Sequence, residues 1–197
     1  ELGGDIVFHG KDFDDAREYA EKLAQKEGCR YVHTANEPML IAGVATEWLE
    51  VIQAVPDIDV LIAPVGGGTG ACGACIVAKC IRKGIRVIGV QAENAPAVYL
   101  SWKNGRLMET DSCETIADGL ATRVAFELPY RILRRCLDGF VLVSEDELRF
   151  STRFVVENIH QVVEPAGAAS VAAALKLKNM LKGKKVATVL SGSNISG

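Results

Sequence analysis

Several features that would settle a protein's class at once are missing from this sequence. No apolar run reaches the roughly 18 residues that a membrane span needs, and no basic, apolar, small-residue leader opens the chain. Neither a membrane anchor nor a secretory signal is therefore expected. Positive charge is thin and scattered: 22 Lys and Arg against 25 Asp and Glu leave a formal net charge of −3 with no basic stripe. That balance argues against nucleic acid as a partner. Only 6 prolines, no low-complexity segment and no internal repeat accompany 49% hydrophobic residues, which excludes a disordered chain. Histidine is limited to His9, His33 and His160, far apart in sequence. Cys72 and Cys75 form one CxxC, but no second pair follows at zinc-ribbon spacing. With no sign of secretion, Cys29, Cys72, Cys75, Cys80, Cys113 and Cys136 read as free thiols, not as a disulfide framework. What remains is a reduced, cytoplasmic globular chain of 197 residues, enough for one or two domains.

The apolar spacing predicts a strand at Ile6–His9, a helix from Asp12 to Gly28 and a second strand at Arg30–His33. Phe13, Ala16, Ala20, Leu23 and Ala24 carry the helical period, and Gly28 ends it. Another helix is expected from Ile41 to Val55, with Val44, Trp48, Val51 and Ile52 on its apolar face. A repeated strand–helix rhythm follows. The continuous apolar run Asp59–Val65 has the character of a buried parallel strand. Helix is predicted over Ala71–Lys83, Phe126–Cys136, Glu145–Asn158 and Pro165–Leu181, and strand over Arg86–Gln91, Phe140–Val143 and Lys185–Leu190. Residues 99–135 are less regular apart from that Phe126–Cys136 helix, and Ser191–Gly197 close the chain as a loop. Ser144 and Glu147 stand at capping-box spacing, and Pro165 suits a first helical turn. Alternating elements of this kind predict an α/β fold with a mostly parallel sheet. A boundary at Glu37-Pro38 divides the chain into 1–38 and 39–197.

The most informative segment is Pro64-Val-Gly-Gly-Gly-Thr-Gly-Ala-Cys-Gly73. Glycines between a buried strand and a helix let backbone N–H groups come close to an anion, and the helix N-terminus adds positive potential. That is a phosphate cradle by physics alone. A merely tight strand–helix turn does not need four glycines in five residues. Gly68-x-Gly70-x-x-Gly73 also matches a dinucleotide fingerprint, with Glu93 near the place of a ribose-binding acid. That match leaves Gly66 and Gly67 unexplained, and it falls after substantial αβ structure instead of opening the fold.

The whole loop resembles the phosphate loop of fold-type II pyridoxal phosphate enzymes, the threonine and serine dehydratase family. Three further segments match in the right order: Glu114-Thr-Ile-Ala-Asp-Gly119, Glu164-Pro-Ala-Gly-Ala168 and Ser191-Gly-Ser-Asn-Ile195. Ile41-Ala-Gly-Val-Ala-Thr46 with Glu50 resembles the helix before the loop, although Val44 stands where the family often has glutamine. The resemblance implies a parallel-sheet, tryptophan synthase β-like fold, with 1–38 the remainder of a small domain and 39–197 most of the large one. It implies that Gly66, Gly67, Gly68, Thr69 and Gly70 bind the cofactor phosphate, that Gly119 borders the ring, and that Ser191 meets the pyridine nitrogen.

The same resemblance implies elimination of water from a β-hydroxy amino acid, giving a 2-keto acid and ammonia, by a homo-oligomer. Two family features are absent. No Ser-x-Lys supplies the lysine that carries the cofactor, and no Ser-Ser/Gly-Gly-Asn-His loop stands ready for a substrate carboxylate. The eleven lysines fall on predicted helices or polar turns. The chain thus reads as a C-terminal portion of a longer enzyme, without a catalytic residue of its own and inert alone. Gln91-Ala-Glu-Asn-Ala-Pro-Ala97 resembles the family's cation-binding loop, implying an ion on the Glu93 carboxylate and the Ala97 carbonyl. Related racemases place an aspartate where Tyr99 stands, so a monovalent ion such as K⁺ is expected in place of a divalent one. The competing readings are a non-catalytic α/β binding or regulatory module and, more distantly, a nicotinamide-dependent oxidoreductase.

Overall fold

The computed structural model describes residues 3–195; Glu1 and Leu2 of the opening, and Ser196 and Gly197 of the closing loop, lie outside them. The chain divides into two units, 1–33 and 34–197.

In the first unit, α1 (Phe13–Glu27) starts where its capping chemistry says it should. The Asp12 side chain accepts the Asp15 N–H at 3.0 Å, and Asp14 and Asp15 lie in the first turn, where carboxylates favour the positive helix end. Gly28 ends the helix in the left-handed region at φ 70°. The strands expected at Ile6–His9 and Arg30–His33 are not formed: both stretches lack regular structure, and Phe8 is 92% exposed. A strand needs a ladder partner as well as a suitable pattern of side chains, and neither stretch has one among the described residues.

The second unit runs α2 (Pro38–Ala54), β1 (Val60–Pro64), α3 (Thr69–Ile81), β2 (Arg86–Ala92), α4 (Ala97–Asn104), a 3₁₀ turn at Asp118–Leu120, α5 (Glu127–Cys136), β3 (Gly139–Val143), α6 (Glu145–Ile159), α7 (Pro165–Lys176) and β4 (Val186–Thr188). The four strands form one parallel sheet in the order β3-β2-β1-β4. Val60 lies opposite both Arg86 and Val186, so β1 is central. Its alternate residues serve opposite layers. Leu61 and Ala63 join Trp48, Cys72, Cys75 and Leu133 on one face, while Val60 and Ile62 join Leu148, Ala169 and Ala173 on the other. Burial on both faces explains why β1 reads as an unbroken apolar run; each fully buried Leu or Ile contributes about 1.5–3 kcal/mol.

Other expectations shift by a few residues, for local reasons. Helix α2 begins at Pro38, earlier than expected, because a first-turn proline lacks only an N–H that would go unpaired, while the Glu37 side chain accepts the Met39 N–H at 3.2 Å. Helix α4 was not expected: its eight residues are too short to show a period, yet Ala97, Val98 and Ser101 are buried. Helix α7 stops at Lys176, short of Leu181, where its buried alanine stripe has run out; turns through 177–183 then lead to β4. Strand β4 keeps three residues, the three that pair with Val60, Leu61 and Ile62 of β1. The α6 capping box is present, with Ser144 Oγ accepting the Glu147 N–H at 3.2 Å and Glu147 Oε2 accepting the Ser144 N–H at 2.8 Å.

The thiols are free. Burial pushes the Cys72 thiol up to about 12, with a smaller push from Cys136, and acts on Cys75 in the same direction. Both stay protonated at neutral pH, which makes them poor nucleophiles. Among the described residues no three His, Cys, Asp or Glu gather to hold a metal ion, and no helix is long and apolar enough to cross a membrane.

Candidate cofactor site

Strand β1 ends at Pro64, and α3 begins at Thr69, so the glycine loop lies at the carboxyl edge of the central strand. Ligands of open parallel sheets bind at that edge. A cavity of about 360 Å³ opens there. The wall is built by Gly66, Gly67, Gly68, Thr69 and Gly70, by Val44, Glu47 and Trp48 of α2, by Gly119 and Leu120 of the 3₁₀ turn, by Glu164 and Ala166 at the start of α7, and by Ser191 beyond β4. Every residue expected to hold the cofactor is on this wall.

The glycines are not interchangeable. A Cβ on Gly66 would stand 2.2 Å from the Gly119 carbonyl oxygen, so two loops 53 positions apart touch backbone to backbone. Gly68 has φ 98° and caps α3, with no side chain serving as acceptor. The first-turn N–H groups of α3 therefore carry the positive end of the helix toward the cavity. Gly70 is different: a Cβ there would meet nothing within 4 Å, yet the residue lines the cavity. No described residue crowds a Cβ at 70, so the bare backbone there leaves room for a ligand. Gly73, the last position of the dinucleotide match, is off the wall; its Cβ would stand 2.9 Å from Ala45 Cα, so it serves the contact between α2 and α3.

Second elements hold the loops. Trp48, 1% exposed, donates its indole N–H to the Gly70 carbonyl at 2.9 Å. Glu164 Oε2 accepts the Asn194 N–H at 3.0 Å and the Glu164 N–H donates to the Gly192 carbonyl at 3.0 Å, fixing the loop that presents Ser191. Gly192 leaves room for that carboxylate, because a Cβ there would stand 2.7 Å from it. Glu145 Oε2 accepts the Ile116 N–H at 2.9 Å and so anchors the segment leading to Gly119. Sequence reasoning assigned no role to Glu164 and none to Glu47. Burial pushes the Glu47 carboxyl above its ordinary range, and the neighbouring Glu50 adds to the rise. The signal for Trp48 was an indole on a helix facing a glycine loop, since a buried N–H needs an acceptor.

No lysine is among the wall residues. Lys79 donates to Asp138 at 2.6 Å and to the Ile85 carbonyl at 2.9 Å, and Lys185 pairs with Asp57.

Glu93 and Ala97 are not brought to the cavity. Glu93 follows β2, donates its N–H to the Val143 carbonyl at 2.8 Å and has its carboxylate 3.6 Å from Lys176 Nζ. The Ala97 carbonyl accepts the Ser101 hydroxyl at 2.7 Å. The Tyr99 N–H donates to Gln91 Oε1 at 2.9 Å. Where K⁺ was expected, the Glu93 carboxylate faces the Lys176 ammonium.

Comparison with known proteins agrees with this geometry. A model of the pyridoxal-phosphate dependent enzyme family matches residues 1–192. The L-threonine ammonia-lyase of Thermotoga maritima is 39% identical over 194 residues, which cover 98% of this chain and 48% of that protein. The solved structure of the processed form of threonine deaminase isoform 2 from Solanum lycopersicum matches with a TM-score of 0.91 at 30% identity, over 99% of this chain and 57% of that one. Maize serine racemase matches with a TM-score of 0.90 at 27% identity, over 98% of this chain and 60% of that one. The chain spans about half the length of the curated relatives it matches. The parallel-sheet α/β architecture of fold type II is the one these structures share. Since the family match runs over almost the whole sequence and five separate stretches close on one cavity, the chain belongs to the pyridoxal-phosphate dependent enzyme family.

Proposed function

We propose that this chain supplies the phosphate- and ring-binding part of a pyridoxal phosphate-dependent threonine or serine dehydratase, which removes water from a β-hydroxy amino acid to give a 2-keto acid and ammonia. The observation that carries the reading is the convergence of Gly66–Gly70, Gly119, Glu164 and Ser191 on one cavity, with open space where a Cβ of Gly70 would stand. A volume of about 360 Å³ falls within the roughly 300–1,000 Å³ of small-molecule sites. When bound, pyridoxal phosphate supplies the electron sink that lets an amino acid lose its α-proton and then its β-hydroxyl.

The rest falls to the chain. The N–H groups of Gly66–Gly70 and the start of α3 hold the phosphate without a lysine or arginine. Gly119, bare of a side chain, borders the ring. Ser191 offers a neutral hydroxyl to the pyridine nitrogen, where a carboxylate would hold a proton on that atom. Glu164 keeps the Ser191 loop in place. The lysine that carries the cofactor is not on this wall, so we assign it to a part of the intact protein outside this sequence.

The finer points belong to the same proposal: serine beside threonine as substrate, homo-oligomeric assembly, a cytoplasmic setting, and 1–38 as the remainder of a smaller domain beside 39–197. A monovalent cation on the Glu93 carboxylate would compete with the Lys176 ammonium 3.6 Å away. The dinucleotide reading is disfavoured, since Glu93 and Gly73 both lie off the cavity wall.

The test is direct. The purified intact protein should show the visible absorption of bound pyridoxal phosphate and release keto acid from L-threonine or L-serine. Gly67→Val should abolish cofactor retention, because its side chain would point at Ala35, 3.0 Å from the Cβ position, and disturb the cradle. A protein with neither absorption nor keto acid release would overturn the assignment.

A further inference from the structure

The corner between β2, β3 and α7 contains a cation that the chain itself provides. Lys176, the last residue of α7, reaches back so that Nζ lies 2.9 Å from the Leu142 carbonyl, 2.9 Å from Glu147 Oε2 and 3.6 Å from Glu93 Oε1. An ammonium has three protons to donate, and three oxygens from three segments surround it. The oxygens are themselves held. Glu147 Oε2 accepts the Ser144 N–H at 2.8 Å, and Glu93 is tied to β3 through its N–H to the Val143 carbonyl at 2.8 Å. Partial burial pushes the Glu147 carboxyl up, but the hydrogen bonds from Lys176 and Ser144 outweigh it and leave it below its ordinary range.

One carbonyl and two carboxylates form a hard oxygen set of the kind that binds metal cations. A K⁺ ion would find that set already facing the Lys176 ammonium. We propose that the Lys176 ammonium is the resident cation of this corner, standing in for a bound monovalent ion and making the protein indifferent to K⁺. The tethered charge joins the loop after β2, the start of α6 and the end of α7. The inference goes beyond the function proposed above and does not rest on it.

Thermal unfolding of the intact protein, compared in KCl and choline chloride at equal ionic strength, tests it. The wild type should melt at the same temperature in both salts. Lys176→Met should melt lower by roughly 2–6 °C, since two partly exposed ion pairs are lost. It should then recover in KCl or NH₄Cl, with a saturable dependence, and not in choline chloride. Lys176→Arg, which keeps the charge, should stay indifferent to the salt. Two results overturn the proposal: a wild type stabilised by K⁺ over choline, or a Lys176→Met protein that responds equally to both. Should Lys176→Met fail to fold, Lys176→Gln is read in the same way.

Discussion

Gly66 and Gly70 lie four residues apart on one cavity wall, and alanine at each should act in opposite senses on folding. At Gly66 the added Cβ would stand 2.2 Å from the Gly119 carbonyl oxygen, far inside van der Waals contact, and both neighbours are backbone. The loops must part by close to an ångström. Overpacking of this kind costs about 1–3 kcal/mol. For a chain of this size each kcal/mol moves the melting temperature by about 2–4 °C, so a fall of roughly 2–12 °C is expected. The displaced segment includes Gly119, itself on the wall, so pyridoxal phosphate affinity should fall at least about tenfold, equivalent to 1.4 kcal/mol. At Gly70 the Cβ meets nothing within 4 Å, and the residue is helical. Alanine there should stabilise the unliganded protein by about 0.5–1 kcal/mol, the ordinary gain on replacing a helical glycine. Cofactor affinity should nevertheless fall, because the methyl group stands on the wall. Scanning fluorimetry of the intact protein, with and without pyridoxal phosphate, reads both quantities. A Gly66→Ala protein with unchanged melting and affinity would refute the backbone contact. A Gly70→Ala protein that melts lower without cofactor would show that glycine at 70 serves the fold and not a ligand.

Further outcomes follow from the other wall residues. Glu47 has a raised carboxyl pKa from burial and from Glu50, so its contribution to stability is present below the ordinary carboxylate range and is lost as pH rises through the raised value. Its ionised form also repels phosphate; Glu47→Gln should bind inorganic phosphate more tightly at neutral pH with a flatter pH dependence, and an unchanged titration would sink this. Trp48→Phe removes the indole bond to the Gly70 carbonyl, a loss of about 0.5–1.5 kcal/mol. Its melting temperature should drop by a few degrees, and a protein as stable as the wild type would contradict the role given to that bond. Because no lysine lines the cavity, the 197-residue chain mixed with pyridoxal phosphate and borohydride should show no stoichiometric labelling of one lysine. Mass spectrometry that finds a single labelled lysine, with keto acid formed from threonine, would assign the amine to this chain.

Much of the site was legible in the sequence because it is made of contiguous signals. A run of glycines between a buried strand and a helix is local chemistry, and it lies where the structure has it, from the end of β1 to the first turn of α3. The α6 capping box and the Gly28 stop are likewise single-turn events whose hydrogen bonds close within a few residues. The β1 run announced burial on both faces, since apolar residues with no alternation leave no face for water.

Tertiary structure decided what depends on distant partners. The Ile6–His9 and Arg30–His33 stretches have strand-like residues but no ladder, and a pattern of side chains carries no information about a missing neighbour. Helix α4 is held by burial of Ala97, Val98 and Ser101, which its eight residues are too few to foretell. Most consequential is Glu93. Its sequence neighbours resemble a cation loop, but Lys176, 83 residues further on, places an ammonium 3.6 Å from its carboxylate. Local sequence determined which backbone could cradle an anion, because dihedral freedom and helix ends are properties of a few consecutive residues. Which charge answers Glu93 was decided only when α7 returned across β3, because Coulomb attraction acts on distance in space and not along the chain.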